Sequence, residues 1–176
     1  MNKAAIDSNT FTTIVRFQPN HRDFDEDEGE WYPVDENGKI YRYIWDDVEN
    51  DDRQELVRVR IACQKIPSCA FRKCKKLKEV IMQDNVQEIG MSAFMYCDSL
   101  VHVKLSLTLK YIGMGAFDGC ISLSSISIPK SCQDIGDWAF RDCTSLVVLS
   151  LPSTTELGSH VFLGCAKALH QMHEPL

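Results

Sequence analysis

A chain of 176 residues, 44% apolar and 25% charged, carries enough apolar material for one globular domain with its own core. No stretch approaches the roughly 18 uncharged apolar residues of a spanning helix, and Asp7, Asn9, Thr12 and Thr13 interrupt the opening residues, which argues against a secretory signal. The net charge of −6 is uneven: residues 1–55 hold fifteen Asp/Glu against six Lys/Arg, and residues 56–176 hold ten against thirteen. The expected location is therefore the cytoplasm, with the eight cysteines as reduced thiols rather than a secreted disulfide framework.

Residues 1–29, which include "DFDEDEGE", read as an acidic, solvated leader. Asp23, Asp25 and Asp27 alternate as in a calcium loop, but Gly29 would fall at position seven and Val34 at position twelve, where the motif needs glycine at six and glutamate at twelve. A second role for the leader is to screen Lys65, Arg72, Lys73, Lys75, Lys76 and Lys78 until an acidic partner displaces it. Residues 30–55 follow as an N-terminal cap. Their apolar runs on either side of Asn37-Gly38 predict a hairpin, with Tyr41, Tyr43 and Trp45 on one face.

From residue 56 the chain repeats itself. "AFRKC", "AFMYC", "AFDGC", "AFRDC" and "VFLGC" place Phe71, Phe94, Phe117, Phe140 and Phe162 at steps of 23, 23, 23 and 22 residues. Other columns keep the same beat: Ile66, Ile89, Ile112, Ile135 and Leu157; Leu77, Leu100, Leu123 and Leu146; Val80, Val103, Ile126 and Leu149; Met82, Leu105, Ile128 and Leu151. The unit is L-x-x-V-x-L-x-x-x-V-x-x-I-G-x-x-A-F-x-x-C. Apolar residues two apart predict a short strand with one buried face. Asn85, Thr108, Ser131 and Thr154 then steer the chain out of it by bonding nearby backbone groups. The Ile-Gly pairs at 89–90, 112–113 and 135–136, and Leu157-Gly158, read as tight corners feeding a short helical turn. Gly113 and Gly115 form only half of a phosphate-loop pattern. One such unit cannot bury its own faces, so the units must stack as a parallel solenoid.

Stacking also decides what the spaced cysteines do. Cys74, Cys97, Cys120, Cys143 and Cys165 would form a line with steps of about 4.8 Å. Zinc needs four ligands converging on one point, and parallel Cβ vectors sit too far apart for a disulfide. The column is therefore core packing, and Cys132, in the column of Val86 and Leu109, belongs with it. Cys63 and Cys69 lie outside the columns. Cys69, beside Lys65, Arg72 and Lys73, is the candidate reactive thiol.

These columns, with Ile128-Pro129 and Leu151-Pro152, resemble the BspA-like class of leucine-rich repeats over residues 56–169, leaving 170–176 as a tail. The resemblance implies an α/β right-handed solenoid of short parallel strands and short helical turns, used for binding proteins through a concave strand face, with no cofactor and no catalytic residues. Pro67, Val161 and Ala168 depart from the pattern at the array's two ends. The outward residues of that face would be Arg58, Arg60, Glu79, Ile81, Gln83, His102, Lys104, Ser106, Ser125, Ser127, Val148 and Ser150. This mixed surface suits an unidentified protein partner better than a small molecule.

The alternative is polyanion or nucleic-acid binding through the Lys65 to Lys78 cluster, although stacking aromatics are missing there. None of His21, His102, His160, His170 and His173 sits in a nucleophile or zinc motif beyond the bare His170-x-x-His173 spacing, so no metal or catalytic role is assigned.

Overall fold

The computed structural model describes residues 13–19, 31–34 and 56–167. Its first sheet holds β1 (Thr13–Pro19), β2 (Trp31–Val34), β3 (Arg58–Ile61), β5 (Glu79–Met82), β7 (His102–Lys104), β9 (Ser125–Ser127) and β11 (Val147–Ser150), in the spatial order β11-β9-β7-β5-β3-β1-β2. All neighbours run parallel except β1 and β2. The second sheet stacks β4 (Lys65–Ile66), β6 (Glu88–Ile89), β8 (Tyr111–Ile112), β10 (Asp134–Ile135) and β12 (Glu156–Leu157), all parallel. Each coil thus contributes one strand to either sheet, and the chain is a parallel-strand solenoid.

The coils lie in register. Val59 sits opposite Val80, and Val80 opposite Val103. On β5 the alternation buries Val80 and Met82 while Glu79 and Ile81 face out. Inside, the five phenylalanine rings form one stack, with centroids 5.1, 5.1, 5.2 and 5.5 Å apart and nearly parallel planes. Residues equivalent in sequence are neighbours in space, so each coil covers the apolar face of the previous one.

The Ala-Phe segments are not helical turns. In the second coil the Ala93, Met95 and Cys97 N–H groups donate three residues back, to the Gly90, Ser92 and Phe94 carbonyls. The intervening Ser92, Phe94 and Tyr96 N–H groups donate to Met114, Ala116 and Asp118 in the next coil, at 2.9, 2.8 and 2.8 Å. A helix directs every amide along its own axis to the carbonyl four residues back. Here alternate amides leave for the neighbouring coil, and the segment becomes a chain of overlapping four-residue turns instead.

The turns that start at Gly90 and at Phe94 hold a left-handed residue at their third position, whereas the turn from Ser92 between them does not. Ser92 (φ 54°) and Tyr96 (φ 59°) supply it, and the same two columns are left-handed at Cys69, Lys73, Gly115, Gly119, Trp138, Asp142, His160 and Gly164. The glycines of the Ile-Gly pairs are outside these columns, and their role differs from the expected one. A Cβ on Gly113 would lie 2.8 Å from the Gly90 carbonyl carbon, the Ile89 oxygen and the Met91 nitrogen. Close approach between coils requires glycine there, not an unusual backbone angle.

The hydroxyl column fastens coil to coil rather than acting locally. Ser131 Oγ bonds the Leu107 and Leu109 carbonyls at 2.8 and 2.6 Å, and Thr108 Oγ1 sits between the Asp84 and Val86 carbonyls. In the last coil Thr155, one residue after the expected Thr154, bonds the Cys132 carbonyl at 2.9 Å.

Strand β1 falls within the segment read as leader and extends the first sheet, with Val15 opposite Ile61. Trp31–Val34 pairs antiparallel with β1, Tyr32 opposite Gln18, and the turn Asn37-Gly38 of the expected hairpin lies outside the described residues. Tyr41, Tyr43, Trp45 and the tail 170–176 lie outside the described residues. Among the described residues no helix is long and apolar enough to cross a membrane.

Candidate functional site

Strand register fixes the outward face of the first sheet. One row runs Arg58, Glu79, His102, Ser125 and Val147, and a second runs Arg60, Ile81 and Lys104. Ser127 and Ser150, opposite each other, continue the second. Arg58 Nε lies 3.2 Å from Glu79 Oε2, which neutralises one end of the face; His102 and Lys104 are exposed at its middle and Ser127 and Ser150 beyond. Gln83 is exposed just past β5, its N–H bonded to the Ile61 carbonyl at 3.0 Å.

Two expected members of this face point elsewhere. Ser106 is buried: β7 ends at Lys104, and in the turn that follows the hydroxyl folds inward to meet Thr108 Oγ1 at 3.0 Å and the Thr108 N–H at 3.2 Å. Val148 is also buried, because it pairs with Ile126 of the core column, and Val147 takes the outward place opposite Ser125. The ladder then shifts, so that Ser150 rather than Leu149 opposes Ser127. A strand with one extra residue accommodates it in such a bulge.

The basic group is dispersed and partly neutralised. Lys65 Nζ is 3.0 Å from Glu88 Oε2 on the second sheet, and Lys75 Nζ is 2.5 Å from Asp98 Oδ2 and 5.9 Å from the centre of the Tyr96 ring.

The cysteine column does more than fill space. The Cys97, Cys120, Cys143 and Cys165 thiols donate to the Phe71, Phe94, Phe117 and Phe140 carbonyls of the preceding coil at 3.0, 3.1, 3.1 and 2.9 Å. Burial pushes the Cys97 and Cys120 thiols well above the ordinary range, and the half-buried Cys63 thiol up to about 12. All three are protonated at neutral pH, as donors must be. None of the eight cysteines is in a disulfide, and among the described residues no group of three or more His, Cys, Asp and Glu could hold a metal. Cys69 is half-buried and holds a left-handed turn position. His160 is exposed at the last coil, and His21, His170 and His173 lie outside the described residues.

An ion pair escaped sequence reading. Arg141 grips the buried Asp118 and lies 5.9 Å from the Trp138 ring centre. Its signal was available: the two charges of opposite sign are 23 residues apart, each directly after a core phenylalanine.

Known proteins agree with this geometry. The family model described as BspA type leucine rich repeat region matches residues 55–173 in six copies. The crystal structure of a leucine-rich repeat protein from T. pallidum superposes with a TM-score of 0.63 at 29% identity, over 77% of this chain and 64% of that one. A leucine-rich cell surface protein from Faecalibacterium prausnitzii gives 0.54 at 28% identity, over 73% of this chain and 37% of its own. The chain thus spans less than two thirds of either relative. No curated protein matches it. With the repeat matched over more than half its length and the same solenoid in solved relatives, the chain belongs to the BspA-type leucine-rich repeat family.

Proposed function

We propose that this repeat scaffold is non-catalytic and binds a protein partner across the outward face of its first sheet. One contrast carries the reading. Along the same strands the interior repeats nearly residue for residue, whereas the outward residues change from Arg58 and Glu79 through His102 and Lys104 to Ser125 and Ser127. Stacking demands sameness inside but nothing of the outside. A mixed surface of alternating charged, apolar and hydroxyl side chains along parallel strands suits a macromolecule more than a small substrate. The alternative, polyanion binding through the Lys65 to Lys78 group, has less support, since Lys65 and Lys75 are already engaged by Glu88 and Asp98.

Reversing charge at the middle of the face, with His102→Glu and Lys104→Glu together, tests the reading. Proteins captured by the full chain should be lost from the double variant while its thermal unfolding is unchanged. An identical capture profile would move binding away from this face.

A further inference from the structure

Charge is divided between the two sheets by sign. In β3, β5, β7, β9 and β11 the acidic side chains reduce to Glu79, against Arg58, Arg60 and Lys104. The strands of the second sheet hold Glu88, Asp134 and Glu156 against Lys65. In each sheet the minority charge is already neutralised, since Arg58 holds Glu79 and Glu88 holds Lys65. On a chain whose net charge is −6, the outward face of the first sheet therefore keeps Arg60 and Lys104, both exposed and without an ion pair among the described residues.

Register sets these two cations in one row. Arg60 is opposite Ile81, and Ile81 is opposite Lys104. With neighbouring strands about 4.8 Å apart, the cations flank the half-buried Ile81 over roughly 10 Å. Glu79 lies in the other row, so an incoming carboxylate is repelled there and drawn to Arg60 and Lys104.

We infer that the partner of this face presents an acidic segment, with carboxylates for Arg60 and Lys104 on either side of an apolar side chain that packs on Ile81. The inference rests on the binding reading above and names the chemistry of its partner. A nucleic acid also carries negative charge, but two cations give few phosphate contacts, and none of the strands β3, β5, β7, β9 and β11 carries a Phe, Tyr or Trp on which a base could stack. Ile81 between the cations matches an apolar side chain better than a phosphate backbone.

Fluorescence anisotropy of the full-length chain with a labelled peptide of alternating glutamate and leucine tests it. Arg60→Glu and Lys104→Glu should each weaken binding about tenfold or more, whereas Lys110→Glu, the same charge change beside the second sheet, should alter it less than about twofold. Glu79→Gln should tighten binding by freeing Arg58. Ile81→Ser should remove the preference for this peptide over one in which serine replaces leucine. No binding, equal losses in the three charge-reversal variants, or tighter binding of a single-stranded oligouridylate with the same dependence on Arg60 and Lys104 would overturn the inference. A captured partner that is lost from the His102→Glu/Lys104→Glu variant but not displaced by the peptide would overturn the acidic chemistry and leave the binding face standing, so the two failures are distinguishable.

Discussion

Arg141 holds Asp118 in the preceding coil by two hydrogen bonds, Nε to Oδ1 at 2.9 Å and Nη2 to Oδ2 at 2.5 Å. The carboxylate is buried, while the guanidinium stays about a third exposed. Removing the arginine alone strands a charge in the interior. Arg141→Met should therefore cost about 2–3 kcal/mol, below the range of a fully buried pair because solvent screens the arginine. Adding Asp118→Met should recover most of that loss, because Met95 and Leu163 already occupy this column. Urea unfolding of the two single variants and the double variant decides it; additive losses would mean that the pair is not coupled.

The two kinds of glycine and turn position make opposite predictions. Gly113→Ala pushes a methyl group into the backbone of the coil beneath and should destabilise by about 1–3 kcal/mol. Ser92→Gly relieves a left-handed serine and should stabilise by up to about 1 kcal/mol. Thermal melts that rank the two variants the other way round would show that backbone angle, not coil spacing, selects glycine in this repeat.

Buried thiols give the fold a sensitivity to alkali. The unfolded chain releases cysteine protons near pH 8.5, whereas burial makes the folded chain keep them at Cys97 and Cys120. A group with a raised folded pKa contributes stability that is complete below the unfolded value and is lost as pH rises beyond it. Unfolding free energy should hence decline above about pH 8.5, by about 1.4 kcal/mol per pH unit for each thiol. Cys120→Ala should make the decline shallower by about one thiol, besides losing the bond to the Phe94 carbonyl, worth about 1 kcal/mol. Denaturant titrations at several alkaline pH values would read the slope, and equal slopes for the two proteins would remove Cys120 from the account.

The solenoid was legible because one step of 23 residues repeats in column after column, and in a stack that step is a spatial contact. Phe94 and Phe117, and Val80 and Val103, meet as their spacing required. What escaped depends on the direction of individual groups. Helical turns were expected at Ala-Phe because local pattern cannot reveal that alternate amides bond the next coil. In "LVVLSL" (146–151) the consecutive apolar residues permit two registers, and pairing chose Val148 over Leu149. Ser106 turned inward because β7 stops at Lys104, one residue short of β5. The thiol bonds use a carbonyl one coil away, which nothing in the spacing of cysteines announces.

The central claim is that a constant interior presents a variable face for recognition. The most direct measurement is the affinity of a captured partner for the full chain, for the His102→Glu/Lys104→Glu variant, and for a control altered on the second sheet by Tyr111→Ser and Asp134→Ser. Loss of about 1 kcal/mol or more per altered contact, a fivefold or larger drop, is expected only for the first-sheet variant. A drop confined to the second-sheet variant, with both proteins folded, would contradict the account.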